Sequence, residues 1–279
     1  MLLSRTYAPS PGLEPYIRRH YVFDAHLPDD FEIIDGVLGE NSFIRILVRG
    51  DWTAELSPGK WSFPSPVVLC GPNSGPVRVR VRGPFRVVGF AIRPSGWRSM
   101  FWESTRSFVD QMVPLAQSWG ELAQRLEADI RAAVSDEEIV AAMEAVIVEQ
   151  MERTGHRSPD EQMASFEAIA RTDSTIRVDD AAARLGMSVR QLERRCLATF
   201  GLTPKMILRR SRFLDMAAAM RGFSSPTEEQ LAALRYSDQS HLNREFRRFV
   251  GMTPGVFANS ATPLLTANLK LRAEGKVLI

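Results

Sequence analysis

The sequence predicts an α+β chain: a β-rich N-terminal domain, barrel or sandwich, with trailing helices, then an all-α domain made from one unit used twice. Three observations carry this. Val77-Arg78-Val79-Arg80-Val81-Arg82 alternates strictly, which puts three Val on one face of a strand and three Arg on the other. Apolar residues then change to helical spacing, as in Leu122, Leu126 and Ile130. Finally, Leu192, Arg194, Gly201, Thr203 and Pro204 recur 50 residues later as Leu242, Arg244, Gly251, Thr253 and Pro254. A fixed period of this length marks one supersecondary unit used twice.

Length and charge set the frame. A chain of 279 residues favours two domains, and 44% hydrophobic residues suffice for real cores. No run of 18 apolar residues is present, so no membrane span is expected. Met1 to Pro15 lacks the basic and apolar regions of a secretory leader, which predicts a cytoplasmic protein. Cys70 and Cys196 read as two reduced, buried thiols. The net charge is only +2, but residues 171–260 hold 15 Lys and Arg against 9 Asp and Glu. The basic excess sits in the repeat, where an anionic polymer is a sensible partner.

The elements follow in order. Residues 1–152 are read as the β-rich domain with a helical pair. Phe43 to Val48, Trp52 to Leu56, Val67 to Cys70 and Phe85 to Ile92 join the alternating run as short strands. Ser57-Pro58-Gly59 and the segment Gly71 to Pro76 separate them as turns. Ser118 with Glu121 and Ser135 with Glu138 match the reciprocal N-terminal capping pattern and open helices near 118–133 and 136–152. Residues 153–157, polar and containing Gly155, are read as the linker.

The helical domain spans 158–260. Ser158-Pro159-Asp160-Glu161 predicts a helix start, with Pro at the first position and acids in the first turn. Val178 to Leu185, a turn at Gly186, and a helix opened by Ser188 form the first unit. On that last helix Leu192, Cys196, Thr199 and Phe200 share one face, and Arg190, Glu193, Arg194 and Leu197 the other. Thr203-Pro204 starts a longer helix to about Met220. The second unit opens at Ser225-Pro226, turns near Arg235-Tyr236, and starts its last helix at Asp238. There Leu242, Phe246, Phe249 and Val250 face inward, and Ser240, Asn243, Arg244 and Arg247 outward. Residues 261–279 read only as a polar tail.

Gly186-Met187-Ser188-x-Arg190-Gln191-Leu192-x-Arg194-Arg195, with Gly201-x-Thr203-Pro204, resembles the first helix-turn-helix of the AraC family of bacterial transcription regulators. Tyr236 to Pro254 resembles the second, which carries the family signature. The resemblance implies two units bridged by the helix near 204–220, each placing a recognition helix in the major groove of duplex DNA. One DNA turn is about 34 Å, which sets the separation the bridge must hold. The positions matching the family's base-reading sites are Arg190, Glu193 and Arg194, then Gln239, Ser240 and Arg244, with Asn243 on the same face. Arg suits guanine O6 and N7, Gln or Asn suits adenine, and Glu accepts from cytosine N4. Lys205, Arg209, His241 and Arg247 are expected at phosphates. Two departures stand out: Arg235 where the family usually has Gly, and Leu231 where it has a small residue.

The run Phe90 to Gly96 and Asp110-x-x-Val113-Pro114-Leu115 resemble the cupin-like effector domains of some such regulators. This implies a small-molecule effector; the alternative is a domain used only for dimerisation or protein contact. A homodimer and RNA polymerase are the other partners compatible with the family, and neither a cofactor nor a metal is expected. An enzyme is not expected: no glycine loop cradles a phosphate, and His20 and His26 lack further ligands at metal spacing. Core packing is the expectation for Trp52, Trp61, Trp97 and Trp102, and a solvated strand face for Arg78, Arg80 and Arg82.

Overall fold

The computed structural model describes residues 2–224 and 239–277, with side chains over 3–224 and 240–274. Eight strands form one antiparallel sheet: β1 (Leu2–Tyr7), β2 (Ile17–Ala25), β3 (Glu32–Val37), β4 (Phe43–Ser57), β5 (Lys60–Ser62), β6 (Val67–Cys70), β7 (Val77–Ile92) and β8 (Met112–Pro114). Their order is β1-β2-β7-β4-β6-β8, with β3 on the first half of β7 and β5 on the end of β4. Four of the five runs read as separate short strands are therefore halves of two long ones, while Val67 to Cys70 stands alone as β6. Pairing of β4 with β7 slips at Leu47/Arg49 and again at Arg49/Asp51. Gly50 sits at this bend with φ 89°, and a Cβ there would stand 2.3 Å from the Pro84 carbonyl oxygen, so only glycine fits.

The bend gives the sheet two cores. Ile17, Val22, Ile44, Val88 and Phe90 pack against Trp97, Phe101 and the helices that follow. These are α1 (Ala116–Trp119), α2 (Glu121–Ala132) and α3 (Asp136–Arg153). Ala25, Ile33, Trp52, Val79, Val81 and Phe85 form the other. The alternating run behaves as its pattern requires: Val79 and Val81 are buried, while Arg78 and Arg82 reach outward to Glu55 at 2.7 Å and Glu32 at 2.6 Å.

Two helix starts need correcting. Ser135 accepts from the Glu138 amide as expected, but Ser118 caps nothing; it lies inside α1 and donates to Glu103 at 3.1 Å. The chain breaks at Gly120 before α2. Ser158 is likewise not a cap. Asp160 caps α4 (Glu161–Thr172), accepting from Met163 N.

Residues 153–157 differ from a free linker. Thr154 is buried and donates to Ser99 O, Ser99 donates to Arg157 O at 2.6 Å, and the Arg157 guanidinium lies 4.4 Å from the Trp102 ring. The helical domain is thus held against the β domain from its first residue.

The first repeat unit is α5 (Val178–Arg184) and α6 (Val189–Thr199). Gly186 turns between them with φ 66°. Ser188 and Gln191 cap α6 reciprocally. α7 (Pro204–Met220) follows, capped by Thr203. Its 17 residues make a rod of about 25 Å. Ile207 and Leu208 sit in the first unit's core with Leu192, Cys196 and Phe200. Phe213, Leu214 and Ala217 sit in the second unit's core with Phe246, Phe249 and Val250 of α8 (Gln239–Val250). One helix therefore fixes both units. Gly201 and Gly251, one repeat apart, have φ 74° and 75°. The second unit's opening, with Leu231, Arg235 and Asp238, lies outside the described residues.

The tail is not a structureless polar segment. After α9 (Pro254–Asn259), the chain forms α10 (Pro263–Val277), which returns to the β domain. Asp35 of β3 accepts from the Leu264 and Leu265 amides at 2.8 and 3.1 Å, satisfying two donors at the start of α10. Leu264 enters the second β core, while Leu38, from the β3–β4 loop, enters the core of the second unit.

Candidate DNA-reading surface and the cavity at the domain junction

The helices α6 and α8 present matching faces. On α6, Leu192 and Cys196 are fully buried, and Arg190, Glu193 and Arg194 are exposed. On α8, Phe246 and Phe249 are fully buried, and Ser240, Arg244 and Arg247 are exposed. Arg194 and Arg244 both stand at the sixth residue of their helices. Neither they nor Arg190, Lys205 and Arg247 have a hydrogen bond or ion pair among the described residues. Exposed basic groups without a partner among the described residues, on two helices at equivalent repeat positions, form a surface suited to an anionic, grooved polymer.

Three expected residues stand differently. His241 and Asn243 are half-buried and already have partners in the protein. The side chain of Gln239 lies outside the described residues. Arg209, expected at a phosphate, is a correction. Its Nε lies 2.8 Å from both Glu245 carboxylate oxygens, and its Nη2 also donates to that carboxylate. Glu245 is buried, so the pair clamps α7 to α8 and leaves the Arg209 fork occupied. Arg195 acts in the same way, joining α6 to Asp160 and Gln162 of the α4 start.

At the junction of the domains a second feature appears, which the sequence did not place. A cavity of about 150 Å³ lies between the β2, β7 and β4 face and α10. Tyr21, Phe43, Trp52, Leu264 and Leu271 give it apolar walls, and Arg18, Arg19, Arg45, Arg171 and Arg272 line it. Trp52, expected only to pack a core, does so while facing this space. Of the other tryptophans, Trp97 is buried, Trp61 lies beside the Arg78 and Arg80 guanidinium groups, and Trp102 is exposed.

The polar wall is an ionic lock across the domains. Glu40, beside β4, meets Arg272 of α10 and, at 3.5 Å, Arg171 of α4. Arg272 also meets Asp215 at 2.9 Å. Arg210 of α7 donates to Asn73 O at 2.7 Å and to the Gly39 and Glu40 carbonyls. Burial disfavours the charged Glu40, but Arg272, Arg171 and Arg210 outweigh it and hold the carboxyl well below its usual range. Burial pushes Arg171 and Arg210 down to about 10. A second pair, Arg18 with Glu167, adds Asn41 at 2.9 Å. The first unit is tied down as well: Thr105 donates to Thr199 O at 2.9 Å.

Comparison with known families follows this geometry. Residues 181–260 match a helix-turn-helix domain family, and residues 5–114 match a domain of unknown function, DUF6597. No curated protein matches the chain in sequence. Among solved structures, ToxT from Vibrio cholerae is similar at TM-score 0.47 and 11% identity, over 86% of this chain and 97% of ToxT. ToxT with bound unsaturated fatty acid gives 0.45 and 12%, over 86% and 94%. The AraC-like transcriptional activator CuxR gives 0.29 and 12%, over 77% and 86%.

The matched helix-turn-helix domain takes in α6 and α8, and such a domain implies DNA binding. Other candidate chemistry is spent elsewhere. His20 is buried and bonds Glu144 at 3.1 Å, a core partnership. Cys70 and Cys196 are free and buried, and burial pushes the Cys70 thiol up to about 12. No helix among the described residues is long and apolar enough to cross a membrane.

Proposed function

We propose that the chain reads duplex DNA sequence with α6 and α8 and responds to a small molecule held against its β domain. The observation that carries the DNA reading is the pair of exposed arginines without a partner among the described residues, Arg194 and Arg244, one repeat apart on equivalent helix positions. Arg190, Glu193 and Ser240 share those faces and complete the base-reading set, with Gln239 and Asn243 beside them. Lys205, at the start of α7, and Arg247 contact phosphates and set register.

The cavity supports the responsive reading over a domain used only for contacts. A hollow lined by charged and aromatic side chains, sharing its wall with the helices of the AraC-type domain, is a place for a ligand rather than a filled core. The test is Arg194→Ala and Arg244→Ala. Each is expected to weaken specific binding by about 1–3 kcal/mol and to relax preference at one or two base pairs. Equal losses on specific and random duplexes would refute the base-reading role.

A further inference from the structure

Few large apolar side chains are exposed among the described residues, and one of them opens α6. Val189 is 44% exposed. It is the first residue of the helix and follows the Ser188 cap. The core of the first unit, built on Leu192, Cys196 and Phe200, does not include it. Leu197, the other apolar residue on the outer face of α6, is half-buried, and its carbonyl accepts from Ser104 of the β domain at 3.4 Å. Contact with the β domain thus accounts for Leu197 and not for Val189.

Val189 and Glu193 are four residues apart and share one side of α6, with Arg190 beside them. All three are exposed. Ser188 and Gln191 fix the backbone of this turn by capping each other, and that occupies Gln191, whose Oε1 accepts from Ser188 N at 2.8 Å. A valine in a helix keeps essentially one χ1 rotamer. Its two methyl groups are therefore held in place before any partner arrives, and little side-chain freedom is left to lose on contact. One repeat later, the first residue of α8 is Gln239. The two units thus offer different chemistry at one position, an amide in α8 and two methyl groups in α6. In helix-turn-helix units the N-terminal residues of the second helix reach the base edges. The major groove presents donors, acceptors and one apolar group, the thymine 5-methyl. A valine side chain makes no hydrogen bond, so that methyl is the only feature it can select.

We propose that Val189 determines specificity for a thymine, packing its methyl groups against the 5-methyl in the major groove beside the base pair met by Glu193. This rests on the reading of α6 as a DNA-reading helix, and names one base of its site. Discrimination here comes from apolar area removed from water, whereas Arg190, Glu193 and Arg194 discriminate by hydrogen bonds. Burying one methyl group corresponds to about fourfold in affinity.

The full-length protein first selects duplexes from a random pool, and the element degraded by Arg194→Ala marks the site of α6. Each thymine of that element is then replaced singly by deoxyuridine, which keeps every pairing group and lacks only the methyl. At one thymine the replacement should weaken wild-type binding about fourfold. Val189→Ala should weaken binding to the thymine duplex by a similar factor and lose the response to deoxyuridine at that position. Val189→Gln should exchange thymine for adenine there in a fresh selection. Val189 is exposed, so neither change should lower the urea midpoint. An element with no methyl-dependent thymine, a methyl dependence that survives Val189→Ala, or an unchanged base preference in Val189→Gln would overturn the proposal and leave the DNA-reading account standing. Failure to select any duplex, or selection of elements indifferent to Arg194, would overturn that account and this inference with it.

Discussion

Replacing Glu40 by Gln tests the ionic lock between the domains. The change keeps the side chain's size and one acceptor oxygen and removes its charge. Arg272 and Arg171 are left, with side chains 3% and 9% exposed. Breaking a buried ion pair by removing one partner costs about 3–5 kcal/mol. Two features reduce that here. Glu40 is 24% exposed, and Asp215 still faces Arg272 at 2.9 Å. The expected cost is therefore about 2 kcal/mol. It should fall on the docking of α10 and α4 against the β3–β4 loop. All five tryptophans lie in residues 52–119, so fluorescence alone would follow only the β domain. Amide exchange is the better assay, because it resolves α10. A loss of about 2 kcal/mol corresponds to roughly thirtyfold faster exchange there. Change of less than about threefold in α10, with an unaltered urea midpoint, would refute the lock.

Two further outcomes follow from named groups. Lys205→Ala should weaken binding alike on specific and random DNA and lower the salt slope by about one; an unchanged slope would count against a phosphate contact. His20 is buried, and burial pulls its pKa below the usual value near 6.5 despite the Glu144 bond that raises it. Between its folded value and 6.5 the unfolded chain binds more protons, so stability falls as pH drops through that window. His20→Gln should remove this part of the pH dependence as pH falls below the usual histidine value, and a profile parallel to wild type would contradict it.

What the sequence made legible was local. The Ser188 and Gln191 cap, the Thr203-Pro204 start and the buried faces of α6 and α8 all depend on residues within a few positions of one another. The rest depends on distant pairing. β4 and β7 read as four short runs because the polar stretches at Arg49-Gly50-Asp51 and Gly83-Pro84 interrupt their apolar pattern, whereas tertiary packing carries both strands through the bend. Arg209 looked available because Glu245 lies 36 positions away. The cavity at the domain junction exists only when three strands align beneath α10. α10 was legible in principle: Thr262-Pro263 repeats the Thr-Pro start of α7 and α9, with Leu264, Leu265 and Leu269 behind it.

Selection from random duplex DNA with the full-length protein tests the central claim most directly. Two helices fixed by one 17-residue helix should enrich a motif with two elements about one helical turn, roughly 34 Å, apart. Changing Arg194 to Ala should degrade one element, and changing Arg244 to Ala the other. Enrichment of a single element, or of none, would contradict a reader that uses both units.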